Sequence, residues 1–258
     1  MTRTRIGVSM LYMLGQPFEK MVAQIPNAGV KYVELVDDGG HELDKNRVAQ
    51  LKNVANSYDV QFTVHAPFAG INIALESKRL LDAMLKRLNE SIMSAAALEC
   101  KMWVFHPGLR SAISIFYPGE DWAKNQESST LLFRFAQEHG VTIGVENIMG
   151  SFILKSVADF ERFYAEVDGE IGLVLDTGHA NLCGEVDGFL KAFPDRLVHV
   201  HAHDNYGQSD QHLGIGRGNI NWKNFGELFD KTSFDGIVIV ESIEQLDDSV
   251  EKLKKLLR

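Results

Sequence analysis

The chain is poor in the residues from which several classes of protein are built. It has two cysteines, Cys100 and Cys183, which lie far apart and form no CxxC pair. Neither a disulfide scaffold nor a thiolate zinc site is indicated, and we expect both thiols to be buried. No apolar stretch approaches the length of a membrane span, and the N-terminus has no long apolar run before a small-residue cleavage site. We therefore expect a soluble, cytoplasmic protein with no membrane partner.

Positive charge is also scarce. Lysine and arginine number 26 against 35 acidic residues, which gives a formal net charge of −9. Such a chain lacks the broadly basic surface that holds nucleic acid, although a local patch or bound metal ions can override the deficit. The charge balance weakens a DNA-binding function without removing it.

Apolar residues, in contrast, are present in amounts that fill a large core. The 258 residues are 45% hydrophobic and 24% charged, and short β-branched runs alternate with amphipathic stretches along the whole chain. In the first such stretch Phe18, Met21, Val22 and Ile25 follow the spacing of one helix face. No linker, low-complexity tract or repeat interrupts the pattern. Eight strand and helix units predict a single α/β domain over residues 1–258, a closed (β/α)8 TIM barrel rather than an open doubly wound sheet.

The expected boundaries follow from these runs. After RIGVSM and KYVELV, strands are predicted at residues 62–65, 102–106, 142–146, 172–176, 197–201 and 237–241. Helices are predicted at residues 17–28, 48–58, 78–98, 121–139, 157–167, 186–193, 222–231 and 249–257.

Six predicted strands end in a side chain that can bind a metal ion. These residues are His65, His106, Glu146, Asp176, His201 and Glu241. The carboxyl ends of all strands of a (β/α)8 barrel open into one mouth, so residues spread over the sequence are expected to converge there. A single histidine at a strand end is more often a hydrogen-bonded core residue, and the inference depends on the whole set. Converging imidazoles and carboxylates predict a divalent-metal site.

Two loops on the same face add candidate ligands. Asp176 and His179 lie three apart in DTGH, where a strand gives way to a loop or a first helical turn, so they can serve neighbouring metal ions. Asp210 and His212 lie two apart in the long loop after the seventh strand and can point the same way, with a solvated turn as the alternative.

Other polar residues near the mouth have less specific expectations. His199 and His203 share one side of the seventh strand and its exit with His201. We expect His199 to fill the barrel and His203 to support the site or contact substrate. Asn147, beside Glu146, is expected to orient a ligand or touch substrate. Arg217, in GIGRG, either clamps a phosphate or is a solvated residue in a tight turn.

A further group has expectations that concern packing. His41 is predicted in a surface loop and His139 at a helix C-terminus. Glu34 ends the second strand and is expected to be buried at the mouth or satisfied by a neighbour; it receives no role. The aromatic side chains near the mouth can wedge into a duplex or roof a small pocket, and they are Phe68, Phe116, Tyr117 and Trp122.

The segments VHAP, FHPG, VENI, LDTGHA, VHAHD, DQHLGIGRG and VES, in this order, resemble the endonuclease IV branch of the xylose isomerase-like TIM barrels. The resemblance covers nearly the whole chain. It implies a DNA partner with an abasic site, cleaved by metal-activated hydroxide, and three zinc ions held by nine side chains. The implied ligands are His65, His106 and Glu146 for the first ion, Glu146, Asp176, His201 and Glu241 for the second, and His179, Asp210 and His212 for the third.

The sister branch of sugar and sugar-phosphate isomerases and epimerases resembles the chain through four residues alone, Glu146, Asp176, His201 and Glu241. It implies one divalent ion, Zn²⁺, Mn²⁺ or another, and a small sugar or sugar phosphate as substrate, with His179 nearby. Glu146 and Glu241 then transfer the proton. The loop VDDGGHEL after the second strand is short and acidic, which is unfavourable beside a phosphate backbone.

The number of ligands favours one branch over the other. Three divalent ions would bring about +6 to four carboxylates, so the loaded pocket would attract phosphate. A water shared by two metal ions loses its proton near neutral pH, which suits phosphoester hydrolysis. The complete set therefore favours a metal-dependent phosphodiesterase of the abasic-site endonuclease type, with the isomerase as the alternative.

Overall fold

Eight parallel strands pair in sequence order and close into a barrel through β1 and β8 in the computed structural model, which describes residues 4–257. The strands are β1 Arg5–Ser9, β2 Tyr32–Val36, β3 Gln61–His65, β4 Met102–Phe105, β5 Thr142–Glu146, β6 Gly172–Asp176, β7 Leu197–Ala202 and β8 Ile237–Val240. The predicted (β/α)8 barrel is confirmed. Residues 1–3 and 258 of the predicted domain lie outside the described residues.

Helices follow the strands and surround the barrel. They are α1 Phe18–Gln24, α2 Lys45–Tyr58, α3 Lys78–Ala97, α4 Glu120–Glu138, α5 Val157–Glu166, α6 Thr177–Leu182, α7 Val186–Ala192, α8 Trp222–Phe229 and α9 Leu246–Leu256. The helix predicted over residues 17–28 is shorter, because a 3-10 turn, Ile25–Ala28, continues from α1 at Pro26. Proline has no backbone N–H, so it cannot donate the next hydrogen bond of a regular α-helix.

Local sequence explains how the helices bury their apolar faces. In α5 the Ser156 hydroxyl accepts from the Asp159 backbone, and the Asp159 carboxylate accepts from the Ser156 backbone, a reciprocal cap that fixes the first turn. Phe160 and Phe163, four and seven residues after Ser156, lie on the inner face of the helix and are fully buried. Phe160 meets Phe189 of α7 edge to face at 5.4 Å. Burying such a ring contributes about 2 to 3 kcal/mol.

Strand register determines which side chains point into the barrel. Glu34 of β2 is paired with Thr63 of β3, and Asp176 of β6 is paired with His201 of β7. A register irregularity at Leu173 and Val174 interrupts the β6 and β7 pairing. Gly172 faces this irregularity, and a Cβ there would lie 2.2 Å from the Val198 side chain. Only glycine allows the strands to approach so closely.

The two cysteines differ in environment. Cys100 is buried, as predicted, but Cys183 is exposed in the turn after α6. The prediction of a buried Cys183 was wrong, because the short α6 ends at the surface there. Within residues 4–257, no helix combines the length and the apolar character that crossing a bilayer requires.

Candidate metal centre

Glu146, at the end of β5, is the centre of the site. It is almost fully buried, and its two oxygens face four imidazoles. Oε2 lies 3.4 Å from His65 Nε2 and 3.3 Å from His106 Nε2. Oε1 lies 3.3 Å from both His179 Nδ1 and His201 Nδ1. A carboxylate shared by two pairs of imidazoles has the arrangement of a ligand that bridges two cations.

Asp210 forms a second centre in the long loop after β7. Its Oδ2 lies 2.9 Å from His212 Nε2 and 3.3 Å from His179 Nε2. His179 therefore lies between Glu146 and Asp210, with one ring nitrogen towards each. The alternative of a solvated turn at Asp210 and His212 does not describe this loop, since both side chains are mostly buried.

Asp176 connects the end of β6 to helix α6. Its Oδ1 accepts from the His179 backbone N–H at 2.7 Å and so caps the helix. This cap explains the DTGH spacing, because the first turn brings His179 back over the barrel. The carboxylate also lies 3.0 Å from His203 Nε2. The His203 ring passes so close to Gly178 that a Cβ there would lie 1.9 Å from it.

Glu241, immediately after β8, completes the ring of carboxylates. Its Oε2 lies 3.7 Å from His201 Nδ1 and 4.0 Å from His212 Nδ1. His212 adopts a left-handed backbone conformation, with φ of 47°, which costs a non-glycine residue about 1 kcal/mol. The backbone N–H of Ile243 donates to the His212 carbonyl, and the His212 ring stacks on His203 at 4.0 Å. These contacts hold the strained residue in the site.

A buried residue that the sequence analysis did not identify anchors this loop. Asp204 is fully buried and accepts hydrogen bonds from the Trp222 indole at 2.8 Å and from the Gly216 backbone at 3.0 Å. Its own backbone pairs with Leu213 in an antiparallel bridge. Asp204 thereby places Asp210 and His212 over the mouth from a loop that has no regular secondary structure.

The predicted substrate contacts lie in different environments. Asn147 uses its side chain to pair with the backbone of Asp176, accepting at 2.8 Å and donating at 3.1 Å. It therefore orients the end of β6. His203 lies within the site, against Asp176. Arg217 is half exposed and lies 3.4 Å from Asp248.

The aromatic residues near the mouth separate into two groups. Phe68 packs against His65 and His106, with ring centroids 5.4 and 5.5 Å apart. Phe116 and Tyr117 are exposed on the loop after β4. Trp122 is buried, and its indole donates to Glu166 of α5. The expectation that Trp122 lines the mouth was wrong, because its ring packs between α4 and α5.

The two remaining histidines also differ from each other. His139 is exposed at the end of α4, with Nδ1 2.8 Å from the Phe135 carbonyl, as expected for a helix C-terminus. His41 is buried, and its Nε2 lies 2.7 Å from the Gln16 carbonyl. The prediction of a surface position for His41 was wrong, since the 3-10 turn Gly39–His41 folds its ring inward against Phe18.

Burial and mutual charge shift the titration of these groups. Burial by itself would raise the pKa of Glu146, but the histidines around it, His201 foremost, hold that pKa well below its usual value. Burial would lower the pKa of His201, but Glu241, Glu34 and Glu146 hold it well above the usual value. Burial also opposes protonation of His212, but Asp210 raises its pKa to about 9. In the chain alone, protons on imidazoles balance the clustered carboxylates.

The donor set fits divalent cations. Glu146 Oε2, Asp210 Oδ1 and both ring nitrogens of His201 are buried without a hydrogen-bond partner. Buried polar atoms are normally paired, so unpaired ligand atoms clustered at the carboxyl ends of the strands indicate a missing partner. Groups of ligand atoms within 4.8 Å of one another include His65, His106 and Glu146 as well as His65, His201 and Glu241. Imidazole nitrogen and carboxylate oxygen suit zinc and manganese.

The chain is similar to several known proteins, over a third of its length in one case and nearly all of it in others. A family model described as xylose isomerase-like TIM barrel matches residues 22–258. An uncharacterized protein of Methanocaldococcus jannaschii is 33% identical over 89% of this chain and 89% of its own. Inosose dehydratase of Klebsiella pneumoniae is 33% identical over 34% of this chain and 30% of its own. The crystal structure of a D-tagatose 3-epimerase-like protein superposes with a TM-score of 0.92 at 27% identity, covering 98% of this chain and 97% of the other.

Proposed function

The chain belongs to the xylose isomerase-like TIM barrel family, and from that premise we propose that it is a divalent-metal-dependent sugar epimerase or isomerase. The similarity to an epimerase-like structure over almost the full length supports this alternative over the endonuclease. Epimerisation beside a ketone and dehydration of a hydroxyketone both begin with removal of a proton from the carbon next to the carbonyl. The site therefore needs a base, an acid and a positive charge near the carbonyl oxygen.

One observation supports the proposal most strongly. Glu146 and Glu241 both lie near the same nitrogen, His201 Nδ1, at 3.3 and 3.7 Å. Burial raises the pKa of Glu241, whereas the histidines hold that of Glu146 well below its usual value. Two neighbouring carboxyl groups whose pKa values are pushed apart are the usual signature of an acid and a base.

The residues that would hold the cation are Glu146, Asp176, His201 and Glu241. A divalent ion held there supplies positive charge that stabilises the negative charge developing on the carbonyl oxygen of the substrate. Mn²⁺ and Zn²⁺ both suit this set of donors.

Glu146 then acts as the base. It accepts the proton from the carbon beside the carbonyl, and the electron pair of that C–H bond moves towards the carbonyl oxygen. Glu241, protonated at the start, donates its proton to the opposite face of the same carbon, so one C–H bond is broken and one is formed with inverted configuration. Glu146 ends protonated and Glu241 ionised, and exchange with water restores both.

The test is incorporation of solvent deuterium. The metal-loaded protein is incubated in D₂O with a panel of ketoses, ketose phosphates and inososes, and deuterium at the carbon beside the carbonyl is measured by NMR. Wild type should form the deuterated epimer of at least one sugar, and Glu241→Gln should reduce formation of that epimer by about 100-fold, the lower range for loss of a general acid. Absence of labelling across the panel with fully loaded protein would contradict the proposal.

The phosphodiesterase is the second candidate, and one observation favours it. Ligands outside the four-residue set also converge, because His179, Asp210 and His212 form one connected group and His65 and His106 meet Glu146. Three ions are thereby possible. Nicking of a duplex 5′ to an abasic site, abolished by prolonged chelation and falling steeply with salt, would support this candidate.

The acidic loop after β2 bears on the choice between the candidates. Asp37 pairs with Arg87 at 2.6 Å, and Asp38 accepts from the backbone N–H groups of Phe68 and Ala69. Asp37 is thereby paired with helix α3, and Asp38 holds the segment after β3 in place. The loop adds no cation for a phosphate backbone.

A further inference from the structure

Glu34 lies beneath the metal centre, inside the barrel. It is fully buried on β2. Its Oε1 lies 3.0 Å from His201 Nε2, an ion-pair distance at which neither atom has a hydrogen-bond partner. Its Oε2 accepts a hydrogen bond from Thr63 Oγ1 at 3.0 Å and lies 3.0 Å from His199 Nε2. Three strands, β2, β3 and β7, thus meet at one carboxylate.

A carboxylate in this position is unusual for a barrel interior, where branched apolar side chains dominate. Moving such a group out of water costs several kcal/mol unless nearby charges and hydrogen bonds compensate for it. Here the compensation comes from His201, His199 and Thr63, and of these His201 belongs to the metal centre. A leucine would fill the same space without the desolvation cost of a carboxylate. We therefore infer that the negative charge of Glu34 serves the site.

The two nitrogens of His201 face different groups. Nε2 faces Glu34, whereas Nδ1 lies 3.3 Å from Glu146 and 3.7 Å from Glu241. A neutral imidazole carries one proton, and a metal ion binds the nitrogen without it. A carboxylate beside Nε2 draws the proton to that nitrogen and leaves the lone pair of Nδ1 directed at the other two carboxylates.

We propose that Glu34 is a positioning residue that holds the proton of His201 on Nε2, so that Nδ1 is the metal ligand. His199 and Thr63 hold Glu34 in turn, by contacts to its second oxygen. The assignment deepens the proposed function, on which it rests, because the cation that serves proton transfer depends on His201.

The first test is metal affinity. Glu34→Gln keeps the shape of the side chain but removes its charge, and Mn²⁺ affinity measured by calorimetry should fall about 10- to 100-fold. Turnover at saturating Mn²⁺ should stay within about threefold of wild type, because Glu34 does not touch substrate. Thr63→Val is the matched comparison: it removes one partner of Glu34 and keeps the carboxylate, so affinity should fall less than in Glu34→Gln. Unchanged affinity in Glu34→Gln, or lost turnover at unchanged affinity, would overturn the proposal.

The second test uses the wild-type protein and so does not depend on a variant that folds. In ¹⁵N-histidine-labelled protein loaded with Cd²⁺, long-range ¹H–¹⁵N correlations should show His201 protonated at Nε2 and bound to cadmium through Nδ1. A proton on Nδ1, or a cadmium ion bound between Glu34 and Nε2, would overturn the assignment. Neither the metal affinity nor the NMR assignment needs a sugar substrate. If no sugar is turned over, the proposed function fails while these measurements still decide the role of Glu34.

Discussion

Binding of a divalent ion to the metal-free chain should release protons, because imidazoles that would ligate the ion are protonated at neutral pH. Asp210 raises the pKa of His212 to about 9. The carboxylates around His179 and His201 hold the pKa of each well above its usual value, with Asp176 the main contributor at His179 and Glu241 at His201. An ion that takes these nitrogens as ligands must displace their protons.

The size of the effect follows from His212. Removing a proton at pH 7 from a group with a pKa of about 9 costs about 2.7 kcal/mol, since each unit is worth about 1.4 kcal/mol. The apparent affinity of a site that uses His212 should therefore be about 50-fold weaker at pH 7 than at pH 9, where half of the His212 rings are already neutral. Each further proton that is displaced adds about tenfold per pH unit.

The measurement is calorimetric titration with Mn²⁺ or Zn²⁺ between pH 6.5 and 8.5, in buffers of different ionisation enthalpy that count the protons released. His212→Gln should reduce the count by one. His139→Gln, at the exposed end of α4, should leave it unchanged. An affinity that stays constant over this pH range, with no proton release in any buffer, would refute the reasoning.

Three further predictions concern the same site. Glu146→Gln removes the charge that faces four imidazoles, so bound metal measured by elemental analysis and turnover should both collapse; full activity would remove Glu146 from the site. The metal-free chain should lose about 3 kcal/mol of unfolding free energy between pH 6.5 and 9, because the pKa of His212 is raised to about 9 in the folded chain. That shift contributes stability that is complete below the pKa of the unfolded state and is lost as pH rises through the pKa of the folded state. Equal free energies of unfolding in urea at both pH values would contradict this. His106→Ala should lower occupancy of the ion beside His65 in anomalous diffraction and abolish any cleavage of an abasic duplex. Deuterium labelling of sugars through Glu146 and Glu241 should stay within about threefold of wild type. Equal loss of cleavage and labelling would show that one metal cluster serves both activities.

Much of the fold and many site residues were predictable from sequence because both depend on short-range periodicity. Alternating β-branched and amphipathic runs predicted the barrel, which is confirmed. The positions of Glu146 and Asp176 at strand ends follow from the same pattern, since every parallel strand of a barrel opens its carboxyl end into one mouth. Helix bounds were predicted to within a few residues, except where Pro26 shortens α1 and where the separate helix α6 begins at Thr177.

Contacts between distant residues were decided only by the tertiary structure. Glu34 and His199 are 165 positions apart in sequence and meet at 3.0 Å, and nothing local to either residue indicates the other. The same holds for the burial of His41 against the Gln16 carbonyl and for the anchoring of the β7 loop by Asp204. Sequence periodicity fixes which face of a strand a side chain occupies. Its partner across the barrel depends on strand register and on loop paths, and these are set by the packing of the whole chain.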